Sequence, residues 1–278
     1  MATRIDAHQH FWRYRPDTHA WISDAMPELK RDFLPADLQP LLQAAGFDGC
    51  VAVQAQQHAA ETEWLLQLAD QHPFIRGVVG WVDLCAPDVA GGLRRLAAHP
   101  RLRGVRHVVQ DEPDDRFMLR PEFMRGIAAL AAFGLTYDIL IYARQLPAAL
   151  DLAQRFPQQR FVLDHIGKPE IRTRRIDDWR RGITALAACP NVSCKLSGMV
   201  TEAEWRAWAP SDCTAYLDVV LDGFGPQRLM IGSDWPVCTL AGGYAEVIAV
   251  VTDYISFLSA SDRDAILGGN AVRFYGLR

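Results

Sequence analysis

An eightfold alternation of short apolar runs with amphipathic stretches constrains this chain more than any other feature. The apolar runs are Arg4–His10, Gly49–Gln54, Phe74–Val82, Leu102–Val109, Leu135–Ile141, Arg160–His165, Asn191–Leu196 and Arg228–Pro236. Their Val, Ile and Leu content predicts strands buried on both faces. Between them, helical spacing predicts helices over Pro35–Ala45, Ala59–His72, Asp88–Ala98, Pro121–Phe133, Gln145–Phe156, Ile176–Ala188, Glu202–Leu221 and Tyr244–Leu258. Gly46 and Gly134 are placed to end two of these. A short further helix, Asp262–Leu267, precedes the tail G-N-A-V-R-F-Y-G-L. Strands alternating with helices form βαβ units and a parallel sheet. Eight such units closing on themselves predict an α/β fold, the (β/α)8 TIM barrel. An open doubly wound sheet is the competitor, but no G-x-G-x-x-G follows the first run. No Pro/Gly/Ser-rich linker divides the 278 residues, so one domain is expected over 1–278.

Charge narrows the partners. With 29 Lys and Arg against 33 Asp and Glu and no long basic run, neither nucleic acid nor an anionic membrane is expected as a partner. The greasiest segment, Ile127–Leu150, is broken by Tyr137, Asp138 and Arg144, which argues against a membrane span. No apolar segment separates M-A-T-R-I-D from the first strand, so no secretory signal is expected. Six cysteines without a C-x-x-C pair read as buried thiols of a reduced cytoplasm. A homo-oligomer is left open.

A parallel barrel carries its chemistry at the carboxyl ends of its strands. The first run ends in His-x-His, and alternation along a strand points His8 and His10 the same way, with Asp6 on that face too. The other ends offer Gln54, Trp81 and Asp83, Arg106 and His107, Asp138, Asp164 and His165, Lys195 and Ser197, and Asp234. Apolar strands terminating in ionisable groups need a reason, because an unpaired buried charge is costly. His8, His10, His165 and Asp234 together suit a divalent ion such as zinc. They equally suit a metal-free site in which Asp234 takes a proton from water and the histidines polarise a carbonyl. The aromatic loop Phe11–Trp21 offers Trp12, Arg13, Tyr14 and Trp21 as one wall of a pocket, or as rings folded over the barrel mouth.

Three motifs, D-A-H-Q-H-F-W, V-L-D-H-I-G-K-P at Val162–Pro169 and M-I-G-S-D-W-P at Met230–Pro236, resemble the amidohydrolase superfamily. The resemblance is to its amidohydrolase-2 branch, the sugar-lactone hydrolases of the L-fuconolactonase and L-rhamnonolactonase type, and it extends to the terminal G-N-A-V-R-F-Y. It implies hydrolysis of a sugar lactone, L-fuconolactone being the first candidate, in the cytoplasmic metabolism of a sugar such as L-fucose. It also implies Asp234 as general base, with His165, His8 and His10 at the reacting centre. The same four residues would hold one Zn2+, which related lactonases are thought to do without. Many superfamily members bridge two metals with a carbamylated lysine; the Y-D-I-L-I stretch has none, which argues against a binuclear centre. Lys168 and Lys195 are left to bind substrate oxygens. Arg106, His107, Lys195, Trp81, Trp12, Arg13 and Tyr14 are the candidates for holding sugar hydroxyls, since polyols need directional donors and an apolar ring face. The alternatives are a metal-dependent decarboxylase, a dicarboxylate lactonase, or a binding barrel that has lost catalysis.

Overall fold

Eight parallel strands, each hydrogen-bonded to its neighbour in sequence order, wrap into a nearly closed barrel in a computed structural model that describes residues 2–278. The strands are β1 (Ile5–Gln9), β2 (Gly49–Val53), β3 (Ile75–Gly80), β4 (Leu102–Val108), β5 (Thr136–Leu140), β6 (Phe161–Leu163), β7 (Val192–Leu196) and β8 (Leu229–Ile231). The intervening helices are α1 (Pro35–Ala44), α2 (Ala59–Gln71), α3 (Val89–Ala97), α4 (Pro121–Leu130), α5 (Leu146–Arg155), α6 (Asp177–Ala187), α7 (Pro210–Phe224) and α8 (Tyr244–Tyr254). The chain ends in α9 (Ala260–Asp264) and α10 (Asn270–Tyr275). This is a single-domain (β/α)8 TIM barrel.

One helix departs from expectation. The stretch expected to be helical from Glu202 opens instead as a short tight turn, Val200–Glu202, and α7 begins only at Pro210. Proline has no N–H to donate and its fixed φ suits the first helical position. Asp212 caps that start by accepting the Ala209 N–H at 2.9 Å.

Two apolar layers carry the burial. Outside the strands, one cluster joins sheet and helices, including Leu38, Leu65, Phe123, Leu152 and Val220. Inside, Ile5, Ala7, Val51, Val53, Val79, Val162 and Met230 fill the barrel and rest on Ala271, Tyr275 and Leu277. The tail is therefore the barrel's floor. It reaches the strands because Gly268 lacks a side chain: a Cβ there would lie 2.1 Å from the Thr3 carbonyl.

The seam between β1 and β8 is closed beyond the strand ends. His8 O accepts the Asp234 N–H at 2.8 Å, and Trp235 O accepts the His10 N–H at 2.7 Å. Asp6 completes it, accepting from Ser233 Oγ at 2.6 Å, Ser233 N at 3.0 Å and Tyr244 Oη at 3.0 Å. The expectation that Asp6 shares a face with His8 fails for a stated reason. The β1–β2 register shifts between Asp6 and Gln9, and such a bulge breaks strict alternation. Asp6 turns to Ser233 and α8 while the histidines turn inward. No helix among the described residues is long and apolar enough to cross a membrane, and all six cysteines are free.

Candidate active site

Four side chains from three strand ends meet in the barrel mouth. His8 and His10 leave β1, His165 follows β6, and Asp234 follows β8. The last two lie two and three residues past their strands in left-handed backbone, with φ of +54° and +57°. Ile166, Gly167 and Lys168 continue that conformation at +49°, +73° and +46°. For residues with a Cβ this costs about 1–2 kcal/mol each, a strain that persists only where surrounding contacts impose it. A bond from the Lys168 N–H to His165 O, 2.9 Å, closes the turn and brings both side chains to one cavity. Gly198 makes room, since a Cβ there would lie 2.4 Å from His165 Nδ1.

Every imidazole is tied at Nδ1 and aimed with Nε2. His10 Nδ1 lies 2.8 Å from Val53 O, His165 Nδ1 lies 3.0 Å from Ser197 Oγ, and His8 Nδ1 lies 3.3 Å from Asp164 Oδ1 and 3.1 Å from Lys195 Nζ. The three Nε2 atoms converge on Asp234 Oδ1, at 3.3 Å for His10 and 3.8 Å for His8 and His165. A carbonyl can only accept, so His10 carries a hydrogen on Nδ1; its Nε2 donates to the Asp234 carboxylate when the ring is protonated and turns a lone pair to the centre when it is neutral. His8 faces both an acceptor and a donor at Nδ1, so either tautomer finds a partner.

The donor set fits a metal ion. Ligands about 2.0–2.1 Å from a tetrahedral zinc stand roughly 3.3–3.4 Å apart, close to the 3.2–3.8 Å separations of the group formed by His8, His10 and Asp234, while His165 reaches Asp234 at 3.8 Å. The carbonyl and carboxylate behind His10 and His8 are the outer partners that metal-binding imidazoles use. Arg106 opposes it: Nη1 lies 3.3 Å from His8 Nε2, a fixed positive charge competing for the same lone pair.

Beneath the histidines lies a buried charge network. Lys195 Nζ donates to Asp138 Oδ2 at 2.6 Å and pairs with Asp164 Oδ1 at 2.9 Å. Arg106 Nη1 donates to Asp164 Oδ2 at 3.1 Å, its Nη2 donates to Gln54 O, and Tyr275 Oη donates to Asp138 Oδ2 at 2.7 Å. Burial is the largest influence on these groups. It drives His8 and His165 well below the ordinary imidazole value. On Asp164 burial pushes upward, but Lys195, His8 and Arg106 outweigh it and hold the carboxyl well below its usual range. Asp138 is lifted to about 6 by burial against Lys195. Burial likewise pushes Asp234 upward, yet His165, His10 and Lys168 prevail and hold it below the ordinary carboxylate value.

The cavity over these groups has a volume of about 550 Å³. His10, His165, Asp234 and Arg106 form its base. Its walls come from loops: Trp21 and Met26 after β1, Gln56 and Gln57 after β2, Tyr142 after β5, Lys168 after β6, and Thr201, Glu202 and Trp205 after β7. Burial raises Glu202 above its ordinary value, with Lys168 opposing and Asp234 adding to the rise.

The expected sugar-binding residues fall into several places. Arg106 lines the cavity. Lys195 is wholly buried below it. Trp12 is wholly buried as well, donating to Arg31 O at 2.9 Å and meeting Trp21 edge to face at 5.6 Å, so it props the ring that does reach the cavity. Arg13 lies over the Trp64 ring, Tyr14 packs beside His19, and Trp81 Nε1 points at His107 Nδ1, 3.4 Å away. His107 pairs with Glu112 at 2.8 Å and stacks on Phe117. None of these last four lines the cavity. Gln56 and Tyr142 lie on loops without periodic signal, and Glu202 and Trp205 fall in the stretch expected to open the seventh helix, so none of the four stood out in the sequence. Their one shared mark is position, a few residues past a strand.

Known proteins agree with this architecture. Residues 5–277 match the Amidohydrolase family. The L-fucono-1,5-lactonase of Burkholderia multivorans is 46% identical over 287 residues, covering 99% of this chain and 97% of that one. The L-fucono-1,5-lactonase of Burkholderia ambifaria is 40% identical over 283 residues, covering 99% and 96%. A crystal structure of an amidohydrolase from Burkholderia multivorans with bound zinc superposes with a TM-score of 0.96 at 46% identity, covering 100% of both chains.

Proposed function

We propose, for a chain that belongs to the amidohydrolase family, that this barrel hydrolyses a neutral sugar lactone to its sugar acid, L-fucono-1,5-lactone being the first substrate to try. The observation that carries the reading is the convergence of three imidazoles on one buried carboxylate, at 3.3–3.8 Å, beneath a cavity of about 550 Å³ that His10, His165 and Asp234 line. Asp234 takes a proton from water, and the water oxygen adds to the lactone carbonyl. His10 Nε2 stands 3.3 Å from Asp234 Oδ1, on the proton-taking side. His165, which lines the cavity, faces the carbonyl oxygen and stabilises the charge that gathers there, with His8 buried behind it. The ring C–O bond then breaks, and Asp234 returns its proton to the departing ring oxygen. His8, His10, His165 and Asp234 would hold one zinc ion, which would supply Lewis acidity at the carbonyl. An ester is reactive enough for the side chains to act alone, so we assign the ion no necessary part.

Charge favours a neutral substrate over the dicarboxylate lactone or the carboxylate of a decarboxylase. Arg106, the one arginine lining the cavity, is committed to Asp164 and Gln54, and Lys168 faces Glu202. A substrate carboxylate would meet Asp234 and Asp111 without a free cation. Trp21, Trp205 and Tyr142 supply apolar ring faces and Gln56 a directional donor, which suits a polyol ring. The same reading makes the barrel one domain over residues 1–278 in cytoplasmic sugar catabolism, without nucleic-acid or membrane partners. A pH-indicator screen of aldonolactones with and without chelator tests it. Acid release from a neutral sugar lactone is expected with either preparation. Carbon dioxide release from an aromatic acid, or turnover only of dicarboxylate lactones, would overturn it.

A further inference from the structure

Opening a lactone turns a neutral ring into an anion, and the cavity's charges bear on that difference. Among the described residues, two cations line it, Arg106 and Lys168. Arg106 is held by Asp164 and the Gln54 carbonyl. The other, Lys168, ends the left-handed turn that begins at His165, so one rigid piece of backbone carries both His165 and the ammonium. Its Nζ lies 3.7 Å from Glu202 Oε1 and 5.4 Å from the centre of the Tyr142 ring, and all three residues line the cavity. The separation exceeds a direct hydrogen bond. Both side chains are nonetheless mostly buried, 17% and 21% exposed, where an ion pair is less screened than on an open surface.

We propose that Glu202 acts as a charge filter: by facing Lys168 across the cavity wall, it denies that ammonium to carboxylates. The neutral lactone enters without penalty, and the acid formed from it finds no counter-charge to hold it. The proposal rests on the lactonase reading for its substrate class. It concerns specificity and release, and gives neither residue a part in bond making.

The test is calorimetric titration of a sugar aldonate and of the matching aldonamide, its neutral isostere, into the full-length wild type, Glu202→Gln, Lys168→Met and the double variant. Glu202→Gln is expected to tighten aldonate relative to aldonamide by about three- to tenfold, the range of a newly freed, partly exposed charge contact. The gain should vanish in the double variant. Lys168→Met alone, leaving Glu202 bare, should weaken aldonate relative to aldonamide, which keeps the test sharp if Glu202→Gln does not fold. An unchanged ratio in a folded single variant, or a gain that survives loss of Lys168, overturns the filter. Failure of the wild type to open any neutral lactone would instead overturn the reading beneath it, and is measured separately by turnover.

Discussion

At Gly198 the backbone has φ of +62°, and the space a side chain would fill is taken by the His165 ring. Gly198→Ala therefore pays twice, in left-handed backbone and in displacement of an imidazole. We expect a stability loss of about 1–2 kcal/mol and a fall in kcat of about 10²-fold, as for a catalytic group moved by a fraction of an ångström to one ångström. Wild-type kcat in this variant would show that the position of His165 does not matter. Glu61 is a second residue whose setting is measurable. Its carboxyl accepts the N–H groups of Ala55 and Gln56, two cavity-lining residues, and burial pushes it up to about 8 despite them. Between about pH 4.5 and 8 the unfolded chain gives up a proton that the folded chain keeps, so this group's contribution to stability falls as pH rises. Glu61→Gln keeps an acceptor and should flatten the urea-unfolding free energy across that window; an unaltered slope would show that Glu61 is not protonated in the fold. Single-residue signals were uneven in the sequence. H-I-G-K-P was legible as part of a family motif, but nothing there announced that His165, Ile166 and Lys168 would all be left-handed.

The strands β5, β6 and β7 each contribute one charge to the buried network, Asp138, Asp164 and Lys195, with Arg106 from β4 and Tyr275 from α10. Lys195 is the shared member. Lys195→Met leaves two buried carboxyls short of a cation and should destabilise the barrel by about 3–5 kcal/mol, read as a lower urea midpoint with unchanged slope. A loss below about 1 kcal/mol would mean the network is not sustained by this lysine. The residue was readable from sequence only as a polar strand end. Whether such a side chain rises into the cavity or stays below it depends on barrel register, which no single strand encodes. At the same scale, strands and helices were legible because burial imposes periods of 2 and 3.6 on them. The loops that wall the cavity obey no period, which is why Gln56 and Tyr142 escaped notice, while Glu202 and Trp205 were hidden in a stretch expected to be helical. Trp12, the conspicuous aromatic, proved to be packing for Trp21.

As a whole, the molecule is a barrel sealed below by its own tail and open above to a cavity of about 550 Å³. The eightfold alternation and the absence of a linker made that architecture readable, and the same topology gathers residues 8, 10, 165 and 234 from across the chain. The bulge in β1 could not be foreseen from spacing, and it sends Asp6 to fasten the seam instead of joining the histidines. The central claim is that the carboxylate on which the three imidazoles converge moves the proton. Steady-state turnover of an aldonolactone by Asp234→Asn, with circular dichroism to establish the fold, tests it most directly. A kcat lowered by about 10²–10⁴ in a folded protein is expected, the range for loss of a general base; a folded variant within about tenfold of wild type would remove Asp234 from the proton transfer.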